Sequence, residues 1–220
     1  MRNSNLLGLG LCSAVAAVAV AGSANAAVVP VYNFGLTFNT PNPTSNSGGN
    51  SFKTSSGSAS GLWDTYLAYA VNIGSDVIAS PGSMQFAVGT VGLAYAGMQL
   101  ESVAGANLLG VTDFNFNVTA YTGGQTNWEI LVGDINGRQV GNSALVPISG
   151  TGQKTFAVSG FTNIVGTGFD WSKVKSFTVN AYTTGTATTF TFDSWTATII
   201  PAPGAAALVG MAGLITSRRR

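Results

Sequence analysis

The side chains that most often perform catalysis are nearly absent from this sequence. It contains no histidine and one cysteine, Cys12, which lies within an apolar N-terminal stretch. This composition excludes imidazole general bases, the Ser-His-Asp triad and the usual histidine and thiolate metal sites. Eight acidic residues remain, and no two of them form a recognisable pair of the kind that hydrolyses glycosidic bonds. The sequence therefore predicts a protein that is not an enzyme and that needs no cofactor.

One short segment has the side chains of a cation-binding loop. In Asp134-Ile135-Asn136-Gly137, side-chain oxygens alternate before a glycine, as they do at the start of a calcium loop. The further ligands of a complete EF-hand loop do not follow. A turn stabilised by the Asp and Asn side chains accounts for the same residues. Two interpretations are therefore open, a calcium site that includes Asp134 and Asn136 and a simple turn.

Polar and aromatic side chains that suit a sugar ligand occur in one predicted strand. Between Asp113 and Tyr121, apolar and polar residues alternate, which would place Asn115, Asn117 and Tyr121 on a single face. Such a row could bind sugar hydroxyls, and it equally suits a face covered only by water. Tryptophans could offer flat apolar surfaces to sugar rings, but most are expected in the core. The four tryptophans are Trp63, Trp128, Trp171 and Trp195.

Strands must position these side chains, because residues 27–200 show short alternating runs and no long helical period. Many short strands separated by turns, with no helical crossover, predict an all-β fold, an antiparallel β-sandwich. Residues 39–60 are rich in Ser, Gly and Asn and predict a loop. Its length suggests a flexible insertion, with a binding loop as the alternative.

Charge gives little indication of an electrostatic partner. Residues 27–200 carry eight acidic and five basic residues and no cysteine. A mildly acidic, charge-poor domain has no basic patch with which to bind nucleic acid. The slightly positive balance of the whole chain comes from Arg2 and the three C-terminal arginines. We therefore expect no nucleic acid partner and no disulfide.

The N-terminal residues have the three parts of an export signal. Arg2 supplies a positive charge, Leu6–Ala21 is apolar, and Ala24-Asn25-Ala26 has the small-x-small form that signal peptidase cleaves. Residues 1–26 are therefore predicted to be a signal peptide with a helical apolar part. Cleavage after Ala26 would leave Ala27 as the first residue of the exported domain, residues 27–200.

The last twenty residues combine a proline pair, an apolar run and a basic end. Two prolines in Pro201-Ala202-Pro203-Gly204 favour an extended segment, and the residues from Ala205 to Ile215 suit a short helix in lipid. Thirteen helical residues, Ala205 to Ser217, would span about 20 Å, against about 30 Å for the apolar core of a bilayer. The positive charges of the three final residues make it energetically costly for them to cross a membrane, so these residues would stop transfer. These residues are Arg218, Arg219 and Arg220.

This tail resembles the PEP-CTERM sorting signal of Gram-negative bacteria, with all three parts in order. The middle residue of the proline motif is Ala202, where that family usually has Glu. The resemblance implies that an exosortase, a membrane-embedded cysteine transpeptidase, cleaves near residues 201–204. It also implies transient insertion of the tail into the inner membrane and delivery of the protein to the cell surface or extracellular matrix.

A second resemblance concerns the exported domain. The segments 82–86, 109–114 and 128–130, followed by 170–174 and 192–195, are similar in their apolar and turn residues to jelly-roll modules of PEP-CTERM proteins. Those modules are shaped like carbohydrate-binding modules, so the resemblance implies a jelly-roll-like sandwich. It also implies a structural calcium ion near the closing strands, with Asp193 as a ligand.

Together these features predict three parts: a signal peptide (1–26), an exported β-sandwich (27–200) and a sorting tail (201–220). The predicted function is that of a non-enzymatic protein of the cell envelope or extracellular matrix, processed by an exosortase-type transpeptidase. The alternative is a surface-displayed carbohydrate-binding module with an extracellular polysaccharide as its partner. In that case Asn115, Asn117 and Tyr121 are the candidate sugar-binding residues.

Overall fold

The alternating segments of the sequence form strands throughout the part of the chain that can be described. The computed structural model describes residues 26–32, 34–35, 37–40, 52–90 and 92–201. These residues include fifteen strands and one 3₁₀ turn, Val158–Gly160. The strands are β1 (Ala27–Tyr32), β2 (Phe38–Asn39), β3 (Phe52–Ser58), β4 (Thr65–Val71), β5 (Asp76–Ser80), β6 (Ser83–Val88), β7 (Tyr95–Ala106), β8 (Val111–Gly123), β9 (Thr126–Asp134), β10 (Gln139–Asn142), β11 (Val146–Ile148), β12 (Gly152–Ala157), β13 (Phe161–Val165), β14 (Val174–Thr183) and β15 (Thr188–Ile199).

The strands pair into two antiparallel sheets. The seven-stranded sheet has the order β12-β8-β15-β6-β5-β2, and β1 pairs with the second half of β15. The eight-stranded sheet has the order β13-β10-β9-β14-β7-β4-β3, and β11 pairs with the first part of β9. The predicted all-β, antiparallel sandwich is therefore confirmed, whereas its jelly-roll character stays a prediction.

The core lies between the two sheets and is rich in aromatic rings. On β8 and β15, alternate side chains point inward, and Phe116 packs edge to face on Trp128 of the opposite sheet with ring centroids 5.4 Å apart. Aromatic side chains bury large apolar areas, and edge-to-face pairs add to that stabilisation. The largest fully buried side chains are Trp128, Trp195, Phe86, Phe114, Phe116, Phe177, Phe190, Phe192, Met84, Met98, Leu100 and Leu108.

Two β-bulges interrupt the middle of the pairing of β8 with β15, and a third register shift lies between Thr198 and Ile199. Thr191 pairs with Ala120 and Phe192 with Val118, so Thr119 has no partner across the ladder. On β15, Asp193 is likewise extra, because the next paired residue is Ser194. A bulge inserts one residue into a strand and reverses the alternation of side chains beyond it. The strict alternation expected from residue 113 to residue 121 is therefore wrong after Val118.

Part of the predicted loop at 39–60 is a strand. Residues 52–58 form β3, which pairs with all seven residues of β4 at the edge of the eight-stranded sheet. Residues 41–51 lie outside the described residues, as do the predicted signal peptide up to residue 25 and the sorting tail from Ala202 to Arg220. No helix within the described part of the chain is long and apolar enough to cross a membrane.

The two ends of the sandwich lie side by side. Ala27, the first residue of β1, pairs with Ile199 at the end of β15, and Ile200 N–H donates to the Gly110 carbonyl at 2.9 Å. The last described residue, Pro201, directly follows that hydrogen bond. Strand β15 is held on both sides, by β8 along its length and by β6 and β1 in succession.

Candidate functional site

Three tyrosines from three strands meet on the outer face of the eight-stranded sheet. Tyr95 on β7 pairs directly with Tyr182 on β14, and their ring centroids are 5.3 Å apart. Tyr69 on β4 packs edge to face on Tyr95 at 5.9 Å. Tyr95 and Tyr182 are half-buried, so part of each ring faces solvent. With their neighbours these rings line a shallow depression of about 260 Å³, which we call the tyrosine face. It consists of Leu67, Tyr69, Tyr95, Gln99, Asn180 and Tyr182.

A chain of hydrogen bonds fixes the polar groups of the tyrosine face. The Tyr69 hydroxyl donates to Asn180 Oδ1, and Asn180 Nδ2 donates to Glu129 Oε2 at 2.9 Å. The Tyr182 hydroxyl donates to the same carboxylate oxygen at 2.7 Å. Glu129 lies opposite Asn180 in the β9–β14 ladder. The network spans three strands and holds the rings and the amide in one arrangement.

The glycine at position 97 makes room for this network. It lies between Tyr69 and Asn180 in the cross-strand row, paired with both. A Cβ atom there would come closer than 3.0 Å to Asn180 Oδ1 and to the ring of Tyr69. The phenol and the amide can therefore meet only across a residue without a side chain.

The tyrosine hydroxyls keep their protons at neutral pH. Burial, with the nearby Tyr182, Tyr95 and Glu129, raises the pKa of Tyr69 well above the ordinary value despite the bond to Asn180. Burial and the bond to the Glu129 carboxylate raise the pKa of Tyr182 likewise, and burial raises the pKa of Tyr95. All three hydroxyls are therefore hydrogen-bond donors rather than anions.

Some hydrogen-bonding capacity remains for a ligand. Among the described residues, the Tyr95 hydroxyl and Glu129 Oε1 have no protein partner. Flat, partly exposed rings next to free donors and acceptors suit a ligand with an apolar face and polar edges.

The sequence analysis did not select these tyrosines, although the same signal was available. On β14 the alternation that places Phe177, Val179 and Ala181 in the core places Asn180 and Tyr182 on the opposite face. What the sequence lacked was the register. Only the pairing of β4, β7 and β14 shows that residues 69, 95 and 182 are neighbours.

The predicted sugar-binding residues lie on the other sheet. Asn115 and Asn117 of β8 share its outer face, where Asn117 Nδ2 donates to Asp193 Oδ1 at 2.9 Å. Asn115 is buried and its amide bonds to Thr198, Gln153 and Thr155. These residues border a depression of about 370 Å³. Every side chain exposed on it is polar except Val28, so it offers no ring to a sugar.

Tyr121 does not join that polar face. The bulge at Thr119 turns it toward the core, where its ring stacks on Phe190 with centroids 6.2 Å apart and planes 17° apart. Its hydroxyl donates to the backbone carbonyls of Gly124 and Ile148, the latter at 3.0 Å. The predicted row of Asn115, Asn117 and Tyr121 is therefore split between two sides of the sheet.

None of the four tryptophans is exposed. Trp63, Trp128 and Trp195 are buried, and the Trp128 indole N–H donates to Thr126 Oγ1 at 3.0 Å. Trp171 is half-buried and packs on Phe169 with ring centroids 4.7 Å apart. Trp63, Trp128 and Trp195 thus serve the core, whereas Trp171 is half-buried, as Tyr95 and Tyr182 are.

Asp134 stabilises a turn with both carboxylate oxygens. Oδ1 accepts the backbone N–H groups of Asn136 at 2.9 Å and Arg138 at 3.0 Å, while Oδ2 accepts that of Asp170 at 3.1 Å. The Arg138 guanidinium adds an ion pair at 2.9 Å. Burial alone raises the pKa of Asp134, but these bonds and the guanidinium outweigh it and hold the pKa below its ordinary value.

The candidate calcium ligands are not brought together. Asp134 ends β9 in the eight-stranded sheet and Asn136 lies in the turn that follows, whereas Asp193 lies on β15 in the other sheet. Within the described residues, no group of three acidic, histidine or cysteine side chains could hold a metal ion. The contacts of Asp134 are those of the turn, the second interpretation of the sequence.

We expect that removal of calcium changes the thermal stability of this protein only slightly. The reason is that protein N–H groups and Arg138 occupy both oxygens of Asp134. The measurement is calorimetry of the full chain with calcium and with a chelator. A fall in melting temperature of more than about 10 °C on chelation would contradict the expectation, because it would indicate a structural ion.

The described residues thus form a two-sheet antiparallel β-sandwich with a cluster of tyrosines on the outer face of one sheet. No protein-family model matches the chain, and no curated protein matches it significantly. Among solved structures, an agarase is similar at 10% identity and a TM-score of 0.43, over 80% of this chain. The chain spans 25% of that agarase's length.

Two carbohydrate-binding modules are similar over most of their length. A family 11 module from a cellulosomal cellulase of Clostridium thermocellum shows 14% identity and a TM-score of 0.42, over 78% of this chain and 94% of the module. A family 29 module, complexed with mannohexaose, shows 14% identity and a TM-score of 0.34, over 68% of this chain and 92% of the module. At identities and TM-scores this low, the similarities assign neither a family nor a ligand to the chain.

Proposed function

We propose that this protein is a non-enzymatic carbohydrate-binding protein of the cell surface, and that it binds polysaccharide on the tyrosine face. The observation that carries the proposal is the half-exposed pair Tyr95–Tyr182, held beside the Asn180–Glu129 network on the outer face of a sheet. This was the alternative function in the sequence analysis, and the site that supports it differs from the predicted one.

The chemistry of a pyranose matches this arrangement. One face of the ring presents C–H groups that pack on a phenol ring, while the hydroxyl groups point outward to donors and acceptors. Tyr95 and Tyr182 supply the rings, and Gln99, Asn180 and Glu129 supply polar groups at the edge. The Tyr182 ring is already fixed by its hydrogen bond to Glu129, and the Tyr95 ring packs against Tyr69 and Tyr182, so little side-chain entropy is lost on binding.

Replacing Tyr95 and Tyr182 with alanine together should abolish measurable polysaccharide binding. Truncation of a central aromatic residue in a binding surface commonly reduces the binding free energy by about 2 kcal/mol or more, which is a factor of roughly thirty in affinity for each ring. The measurement is affinity electrophoresis of the full chain in native gels that contain neutral or acidic polysaccharides, followed by calorimetric titration for those that retard it.

Controls on the opposite sheet separate this site from the predicted one. Asn117→Ala and Tyr121→Phe leave the tyrosine face intact, so both variants should be retarded like the unmodified chain. If Asn117→Ala lost binding while the double tyrosine variant kept it, the polar face would be the site. If no polysaccharide retarded the unmodified chain, the proposed function would be wrong.

The tail supports a second part of the proposal, that the protein is exported, sorted to the surface by an exosortase and only transiently anchored in the inner membrane. The supporting features are the proline motif of residues 201–204, an apolar run too short for a comfortable anchor, and the basic end of the chain. In this proposal signal peptidase cleaves after Ala26, and the sandwich carries the polysaccharide-binding site outside the cell.

Surface protein from the native host should lack the basic end of the chain. Cleavage near Pro201–Gly204 removes the apolar run and its arginines, so mass spectrometry should find a C-terminus close to the prolines. Replacing Arg218, Arg219 and Arg220 with serine should release uncleaved protein, because nothing then stops transfer. Recovery of a protein that keeps Arg220 in the membrane fraction would instead indicate a simple anchor.

A further inference from the structure

Two carboxylates lie on the same outer sheet face as the tyrosines. Glu129 is in the network itself, with Oε2 bonded to Tyr182 and Asn180. Glu101 lies further along β7, where Oε1 accepts a bond of 2.6 Å from Gln99 Nε2. Glu101 also lines the next depression, which shares Leu67 with the tyrosine face. A ligand that extends along β7 would therefore pass both carboxylates.

The lysine and arginine side chains that the structure describes lie outside the tyrosine face. No lysine or arginine is among the side chains that line the tyrosine face or the adjoining depression. Lys175 and Arg138 line a third depression beyond Glu101, and Arg138 is already paired with Asp134. The face that holds the rings is therefore electronegative and has no described counter-charge for an acidic sugar.

We infer that the tyrosine face selects uncharged polysaccharides over acidic ones, and that Glu129 is the residue that determines this specificity. The inference rests on the proposed function. An acidic sugar stacked on Tyr95 and Tyr182 would place its carboxylate near the Glu129 carboxylate on a partly desolvated surface. Two carboxylates that lie close together repel strongly where water is partly excluded. A neutral sugar can instead donate a hydroxyl hydrogen bond to Glu129 Oε1.

Matched polymers test this inference on the full chain. The probes are three neutral backbones and their carboxymethyl derivatives: hydroxyethyl cellulose with carboxymethyl cellulose, dextran with carboxymethyl dextran, and soluble β-1,3-glucan with its carboxymethyl form. For whichever backbone binds, the carboxymethyl form should bind about tenfold more weakly or worse at low salt. Raising the salt concentration should reduce the ratio of neutral to acidic affinity, because salt screens exposed charges. A purely steric effect of the carboxymethyl group would not change with salt.

Two amide variants, Glu129→Gln and its control Asp113→Asn, test whether Glu129 causes the preference for neutral polymers. Glu129→Gln keeps an oxygen for the Tyr182 and Asn180 bonds, removes the charge and replaces Oε1 with an NH2 group. Neutral binding should therefore weaken severalfold, acidic binding should weaken less or become tighter, and the ratio of neutral to acidic affinity should fall toward one. Asp113→Asn removes a carboxylate from the opposite sheet face and should leave the ratio unchanged. Equal or tighter binding of the carboxymethyl polymer by the unmodified chain would overturn the inference and leave the proposed function standing. Failure of all neutral backbones and all acidic derivatives to bind would overturn both.

Discussion

Replacing Asp134 with alanine is expected to lower the free energy of unfolding by about 3 to 5 kcal/mol. The substitution leaves the backbone N–H groups of Asn136, Arg138 and Asp170 without their acceptor. It also removes the buried partner of Arg138, whose own side chain is 29% exposed and recovers part of its hydration. Urea unfolding of the full chain, followed by tryptophan fluorescence, measures the change.

A conservative variant separates the backbone contacts from the charge. Asp134→Asn retains an oxygen for Asn136 and Arg138 and loses the acceptor for Asp170, so its effect should be clearly smaller. Equal stability of the alanine variant and the unmodified chain would mean that the turn does not depend on this carboxylate. That result would contradict the interpretation of Asp134 as a structural residue.

The same carboxylate makes stability depend on pH in a defined direction. The pKa of Asp134 is lower in the folded chain than the value of about 4 in an unfolded chain. The ionised form is therefore favoured by folding, and its contribution is complete above pH 4 or so and is lost as the pH falls through the folded pKa. The stability difference between the unmodified chain and Asp134→Asn should accordingly be constant near neutrality and shrink in acid.

Replacing Gly97 with alanine should disrupt the tyrosine face and destabilise the sandwich. The new Cβ would press on Asn180 Oδ1 and on the Tyr69 ring, both of which are buried and bonded to each other. Overpacking of this kind typically costs about 1 to 3 kcal/mol, and the shifted amide would no longer hold Glu129 and Tyr182 in place. We expect a lower urea midpoint and a loss of polysaccharide binding of at least tenfold.

A double variant tests whether crowding is the cause. In a Tyr69→Ala background the ring is gone, so adding Gly97→Ala should cost much less than it does alone. Gly160→Ala is the matched control, because a Cβ at that position has no atom within 4 Å. Additive effects of the two substitutions at positions 69 and 97 would contradict the steric explanation.

The fold was predictable because most strands alternate regularly. On β15 the inward series Phe190, Phe192, Trp195 and Ala197 is nearly periodic in the sequence, and it is buried in the structure. The exceptions have local physical causes. The bulge at Thr119 cannot be recognised from residue types, and it reversed the predicted side of Tyr121. The sequence of strand β3 resembles that of a polar loop, because its edge position leaves Thr54 and Ser56 exposed to water.

The candidate site was harder to predict, because its residues are far apart in the chain. Tyr69, Tyr95 and Tyr182 lie on strands that are adjacent only through non-local pairing. Alternation shows which face each side chain takes, but it does not show which strands are neighbours or in what register they pair. The predicted polar row on β8 was local, which is why the sequence revealed it and not the tyrosine face.

The position of β15 has a mechanical consequence for as long as the protein is anchored through its tail. Ladder hydrogen bonds run across the strands, so a force applied at Pro201 along β15 acts on all the bonds to β8, β6 and β1 at once, in shear. A strand at the edge, pulled sideways, would instead open one bond at a time. A polysaccharide that drags on the tyrosine face of the anchored protein would therefore load the sandwich through a strand that is paired on both sides, and we expect the domain to stay folded under tension.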